Sequence, residues 1–107
     1  FSTNVPCRKM STAERFNANL LSMRRVRYYP AAAAVGKSIY IAGGLDASLS
    51  IQSTAECYEI DTQRWNETNS MRTKRDGHAA VSLGNNIVVM GGLGLSSAEQ
   101  YNTAAGQ

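Results

Sequence analysis

The side chains able to do acid–base or nucleophilic work are few in this chain. His78 is the single histidine, and Asp76 stands two residues before it, a spacing that lets a carboxylate orient an imidazole. A hydrolytic triad also needs a serine on a sharp strand-to-helix turn, and no Gly-x-Ser-x-Gly stretch occurs. Gly36-Lys37-Ser38 matches the tail of a phosphate-binding loop, but the first glycine of that motif would fall on Ala31. Cys7 and Cys57 are too sparse for a disulfide framework, and no Cys/His cluster has zinc spacing. One histidine is too few for a copper site. The residues therefore read as non-enzymatic, with no metal and no cofactor implied.

Charge gives a weaker lead. Hydrophobic residues make up 43% and charged residues 18% of the 107, the composition of a globular chain with one small domain's worth of core. The net charge is +3, and much of the excess lies early, in Arg8, Lys9, Arg15, Arg24, Arg25 and Arg27 against Glu14. Such a patch beside Tyr28 and Tyr29 suits an acidic partner or nucleic acid. The simpler reading is a solvated edge whose arginines pair with loop carboxylates, and neither nucleic-acid nor membrane binding is expected. No apolar run reaches the roughly 20 residues of a membrane span. Cys57, in an alternating apolar stretch, is expected as a buried free thiol, which fits a reducing, cytoplasmic setting. Asn66-Glu67-Thr68 is a glycosylation sequon that would matter only in a secreted chain. The chain opens at Phe1 without an initiator Met, so the natural N-terminus is expected to lie upstream.

Stronger than any single residue is a repetition. Ser22-Met23 returns as Ser70-Met71, Arg27 as Arg75 and Gly43-Gly44 as Gly91-Gly92, all 48 positions on. A second landmark, Ala-Glu-x-aromatic, occurs at Ala13–Phe16, Ala55–Tyr58 and Ala98–Tyr101. Insertions between fixed landmarks are what a stacked repeat tolerates. Each unit reads as all-β. "AAAAV" leads through Gly36-Lys37-Ser38 into "IYIA", and "AAVSL" leads through Gly84-Asn85 into "NIVVM", both hairpin signals. "TAECYEI" or "SAEQY" supplies a third strand and "RWNE" a fourth. Four short strands at this period match a propeller blade.

The ordered set Gly43-Gly44, Glu56, Tyr58, Trp65, Met71 and Arg75 resembles the kelch repeat, with Gly91, Gly92, Glu99 and Tyr101 as its second copy. The phrasing around Met71 to Gly92 is most similar to kelch-like proteins. The resemblance implies an all-β, kelch-type β-propeller fragment of about two four-stranded antiparallel blades. Residues 1–21 would end a preceding blade with its third and a short fourth strand. Residues 22–69 would be a complete repeat, and residues 70–107 the next repeat, truncated before its fourth strand. The first unit departs from the pattern, since no Trp follows Phe16. The resemblance further implies a protein-interaction module, typically a substrate adaptor of a cullin-type ubiquitin ligase with a BTB domain outside this chain. Kelch propellers also carry enzymes of the oxidase and sugar-epimerase type, so scaffold blades of such an enzyme are the alternative reading.

The double glycines are expected where backbones approach closely. Tyr58 and Trp65 are expected to fill the wedge between blades, with Tyr58 and Ile60 on one strand face and Ala55, Cys57 and Glu59 on the other. Glu56 and Arg75 are candidates for an ion pair. In an up-and-down blade, the second-to-third loops (45–53 and 93–96) and the inter-blade connections (22–30 and 70–77) share one end. Partner contact is expected there, through Arg25, Arg27, Tyr28, Asp46, Ser48, Lys74, Arg75, Asp76 and His78, with Arg75 open to a structural role.

Overall fold

A computed structural model describes residues 22–107. The units expected in residues 1–21 lie outside the described residues. Seven strands follow in chain order: β1 (Ala31–Val35), β2 (Ser38–Ala42), β3 (Ala55–Glu59), β4 (Arg64–Thr68), β5 (Ala79–Leu83), β6 (Asn86–Met90) and β7 (Ala98–Asn102). They form one four-stranded sheet, β1-β2-β3-β4, and one three-stranded sheet, β5-β6-β7, antiparallel throughout. No helix is present among the described residues.

The local reasons are those of short antiparallel strands. The β1–β2 and β5–β6 hairpins turn at Gly36 and Gly84, both at positive φ, where a glycine carries no Cβ penalty. The turn from β3 to β4 uses Gln63 at φ 57. Ile60 lies in that turn rather than on the strand face it was expected to share with Tyr58, and it is exposed. β3 is one of the two inner strands of its sheet and is buried along nearly its whole length. Register places Ala42, Ala55 and Thr68 in one row and Tyr40, Cys57 and Asn66 two rows on, on the same face.

The two sheets stack, with β1 packing on β5 and β6. Ala31, Ala55 and Cys57 of the first sheet and Ile87 and Val89 of the second are the buried apolar residues of this layer. Toward the outer strands the sheets diverge and leave a gap of about 280 Å³, lined among others by Tyr40, Met71, Val89 and Tyr101. The Tyr40 and Tyr101 rings lie 6.0 Å apart, and Thr68 Oγ1 meets the Tyr101 hydroxyl at 3.0 Å. Tyr58, only 3% exposed, lies opposite Trp65 with ring centroids 5.1 Å apart. Trp65 itself is half-buried, so it flanks the wedge more than it fills it.

Candidate functional site

Strand direction sends the β2–β3 loop, the β4–β5 connection and the β6–β7 loop to the same end. In the first sheet, the row Ala31, Ala42, Ala55 and Thr68 marks that end, and Val35, Ser38, Glu59 and Arg64 mark the other. Backbone bonds stitch the segments together. Tyr28 and Leu45 exchange N–H···O bonds of 2.9 and 2.8 Å. Gly44 N–H donates to the Arg75 carbonyl at 2.7 Å, and Arg75 N–H to the Gln52 carbonyl at 3.1 Å. Gly77 N–H reaches the Tyr29 carbonyl at 2.9 Å, and Leu93 N–H the Asp76 carbonyl at 3.2 Å.

This stitching explains the double glycine. A Cβ on Gly43 would collide with the Arg75 carbonyl and approach the His78 ring to 2.7 Å and the Met71 methyl to 2.9 Å. A Cβ on Gly44 would stand 2.5 Å from the Tyr28 carbonyl. Both glycines also have positive φ, so the close approach and the backbone conformation exclude side chains together.

An arginine–glutamate clamp recurs beneath this face. Arg27 Nε donates to Glu56 Oε2 at 3.1 Å, and Nη1 donates to the Gly43 and Thr54 carbonyls at 2.8 and 2.9 Å. Arg24 N–H meets the other Glu56 oxygen at 2.7 Å. In the next unit, Arg75 Nε donates to Glu99 Oε2 at 3.2 Å, and Nη1 to the Gly91 and Ser97 carbonyls, each at 2.8 Å. Arg72 and Thr73 N–H groups meet the same carboxylate at 2.6 and 3.0 Å. Each arginine thus ties the connection entering a blade to that blade's second and third strands. The pairing is Arg27–Glu56 and Arg75–Glu99, which corrects the expected Glu56–Arg75 pair. Burial would push the Glu99 carboxyl up, but the Arg72 and Thr73 N–H donors and the Arg75 guanidinium together hold it below its usual value.

The expected contact residues divide on this geometry. Arg27 and Arg75 are buried, at 8% and 0% exposure; Arg75 commits Nε, Nη1 and Nη2 to its clamp, and Arg27 commits Nε and Nη1. His78 is buried against Gly43. These three are the buried members of the expected contact set, and they lie beneath the face. Neither His78 ring nitrogen has a well-formed hydrogen bond among the described residues. Burial lowers its pKa below the usual value, and the Arg75 charge adds to that. The Ala42 carbonyl and Asp76 oppose the shift.

Arg25, Tyr28, Ser48 and Lys74 are exposed, and Asp46 and Asp76 are half-buried. Arg25 pairs with the exposed Glu67 at 3.0 Å. Asp46 shapes its loop: Oδ1 accepts from the Ser48 and Ser50 N–H groups at 2.8 and 2.9 Å, and Oδ2 accepts from Gln52 Nε2 at 3.0 Å. Arg25, Arg27, Asp46, Ser48 and Gln52 line one depression of about 240 Å³ on this face. Lys74, Asp76 and His78 do not line it. Gln52 and Thr54 are the residues that sequence reasoning missed. The only signal for Thr54 was its place just before β3, matching Ser97 before β7.

Nucleophilic chemistry finds little support. Burial and then Glu59, whose carboxylate is 3.2 Å from Cys57 Sγ, push the thiol up to about 11. Burial and the neighbouring Cys57 push Tyr40 up to about 12. No group of three His, Cys, Asp or Glu side chains converges among the described residues.

Comparison with known proteins agrees with this architecture. The family model described as Kelch motif matches residues 27–72. Kelch-like protein 26 of Danio rerio is 32% identical over 74 residues, which are 69% of this chain and 12% of that protein. Beta-scruin of Limulus polyphemus is 32% identical over 89 residues, 79% of this chain and 10% of that protein. The chain therefore spans about a tenth of each of these relatives. With two stacked antiparallel sheets, a double glycine under each crossing connection and the matched motif, the chain is a stretch of kelch repeat folded as β-propeller blades.

Proposed function

We propose that these repeats are part of a protein-interaction propeller that holds a partner protein or peptide on the face built from segments 22–30, 45–53, 70–77 and 93–96. The observation that carries the reading is the division of labour at that end. Buried Arg27, Arg75 and His78 fix the loops from beneath, while Arg25, Tyr28, Ser48 and Lys74 stay exposed above them. Variable exposed loops on a rigid scaffold are where binding residues concentrate. Among the described residues the opposite end carries the tight turns at Gly36-Lys37 and Gly84-Asn85, the turn at 61–63 and the turn at 103–106, which bonds the Asn85 carbonyl. In its finer form, the proposal is a substrate-adaptor role for a cullin-type ubiquitin ligase in the cytoplasm. Its support is the similarity to a kelch-like protein.

The test is joint replacement of Arg25, Tyr28, Ser48 and Lys74 by Ala in the protein at its natural length. Partner capture should fall while Tm stays put, since exposed substitutions rarely change stability by more than about 0.5 kcal/mol. Lys37→Ala with Asn85→Ala should leave capture intact. Loss of capture from the second pair alone would place the partner at the other end. A cullin co-purifying with the intact protein would support the adaptor role, and its absence under ligase-preserving conditions would count against it.

A further inference from the structure

Tyr29 is a strained residue where the second unit uses a glycine. Its counterpart 48 positions on is Gly77. Both take the left-handed backbone conformation, at φ 56 and φ 62. Glycine adopts it without a Cβ penalty, whereas a bulky side chain there is a true outlier. Pro30 follows Tyr29 and adds a second cost, since a proline pushes the residue before it toward extended backbone. Burial of the ring would offset such strain, but Tyr29 is 70% exposed. Residues held in such conformations cluster at ligand clamps and other functional sites, so the outlier calls for a role.

The surroundings of Tyr29 supply one. Gly77 N–H donates to the Tyr29 carbonyl at 2.9 Å, and Leu93 N–H donates to the Asp76 carbonyl at 3.2 Å. The Asp76 carbonyl and the Gly77 N–H belong to one trans peptide group and point opposite ways, so Tyr29 and Leu93 lie on its two sides. They are also the two most exposed large apolar side chains among the described residues, Leu93 at 83%. Between them Gly77 carries no side chain, and a Cβ there would meet nothing within 4 Å, so the strip is open to a ligand.

We propose that Tyr29 and Leu93 form the apolar contact of the loop face and take one aliphatic or aromatic side chain of a bound peptide over Gly77. The proposal rests on the interaction face described above and names one contact on it. Tyrosine suits the role, since it supplies a large contact area at little rotamer cost and is enriched among the residues that dominate binding. Charge defines the flank. Lys74 lies three residues before Gly77, is exposed and belongs to no ion pair among the described residues. A carboxylate beside the peptide's apolar side chain would pair with it, and a cation there would meet a like charge.

The experiment selects short random peptides displayed on phage against the protein at its natural length, then measures the affinity of the selected peptides for the wild type and its variants. The selected peptides should share an apolar side chain flanked by a carboxylate. Tyr29→Gly, which copies the residue at position 77, should weaken them about tenfold or more yet raise Tm by about 2–4 °C as the strain is relieved. Tyr29→Phe should keep most of the affinity, and Leu93→Ala should weaken it with Tm unchanged. A lower Tm in Tyr29→Gly, unchanged affinity in that variant, or no peptide that depends on Tyr29 would each overturn the proposal. Peptide binding lost in the joint Arg25, Tyr28, Ser48 and Lys74 variant but kept in Tyr29→Gly would overturn it and leave the face standing. Binding lost instead with Lys37→Ala and Asn85→Ala would overturn the face itself.

Discussion

Arg27 and Arg75 show how position decides what a charged residue does. Both sit in exposed-looking connections, yet their guanidinium groups lie under the loops and bond to carbonyls of the strand ends. Removing one partner of a buried pair leaves the other charged and unpaired, so Glu56→Ala should cost about 3–5 kcal/mol in denaturant unfolding. Glu67→Ala, which breaks the solvent-exposed pair to Arg25, should cost less than about 1 kcal/mol. Acid should act in two steps. His78 is held neutral below its ordinary value, so the unfolded chain takes up a proton first and stability declines as pH falls below about 6.5. Glu99 is held ionised, so its contribution is complete above 4.5 and is lost as pH falls through its lower folded value. Unfolding midpoints measured from pH 8 to 3 check both limbs, and His78→Gln should flatten the first alone. The sequence showed that an arginine recurs every 48 residues but not its partner. Glu56 lies nearer in sequence to Arg75 than to Arg27. The clamp nevertheless uses Arg27, because the connection that enters a blade crosses the ends of that blade's own strands.

At the scale of the element, the hairpin strands were legible as short apolar or β-branched runs joined by glycine turns, as in Ala31–Val35 and Asn86–Met90, while the more polar β3 and β7 were legible from the repeated Ala-Glu-x-aromatic landmark. Ile60 misled because the alternation runs on past Glu59, where the strand ends and Ile60 opens the turn. The double glycines were legible as a packing need, but not what they pack against, since Arg75, His78 and Met71 come from the following unit. Gly36 and Gly43 test that packing directly. Both have positive φ, but a Cβ on Gly36 meets nothing within 4 Å. Gly36→Ala should therefore cost only the left-handed penalty of about 1–2 kcal/mol. Gly43→Ala should add roughly 1–3 kcal/mol of overpacking. Equal unfolding free energies for the two would remove the close-approach explanation. The aromatic pair should be unequal as well. Tyr58→Ala empties a buried site and should cost about 3–5 kcal/mol. Half-buried Trp65 should cost less on replacement by Ala, with the difference read in the same unfolding experiment.

On the scale of the whole molecule, the two sheets depend on each other. β1 lies on β5 and β6, and loops from both units share backbone bonds at one end. A repeat of this kind stabilises its neighbours through interfaces, so damage at the joint should spread to both sheets. The periodicity made the stacking legible, because a unit that cannot bury both faces alone must find a neighbour. The contents of the loop face were less so: burial sorts Arg27, Arg75 and His78 from Arg25, Ser48 and Lys74, and it is set by contacts distant in sequence, within a unit for the two guanidinium groups and across units for His78 against Gly43. The central claim is that the exposed half of this set meets a partner. Its most direct test places a photo-crosslinking amino acid at Ser48 or Lys74, and in parallel at Lys37 or Asn85, in the protein at its natural length within its own cells. The account predicts a discrete covalent adduct from Ser48 and Lys74 and none from Lys37 and Asn85; adducts from the opposite end alone, or equally from both ends, would contradict it.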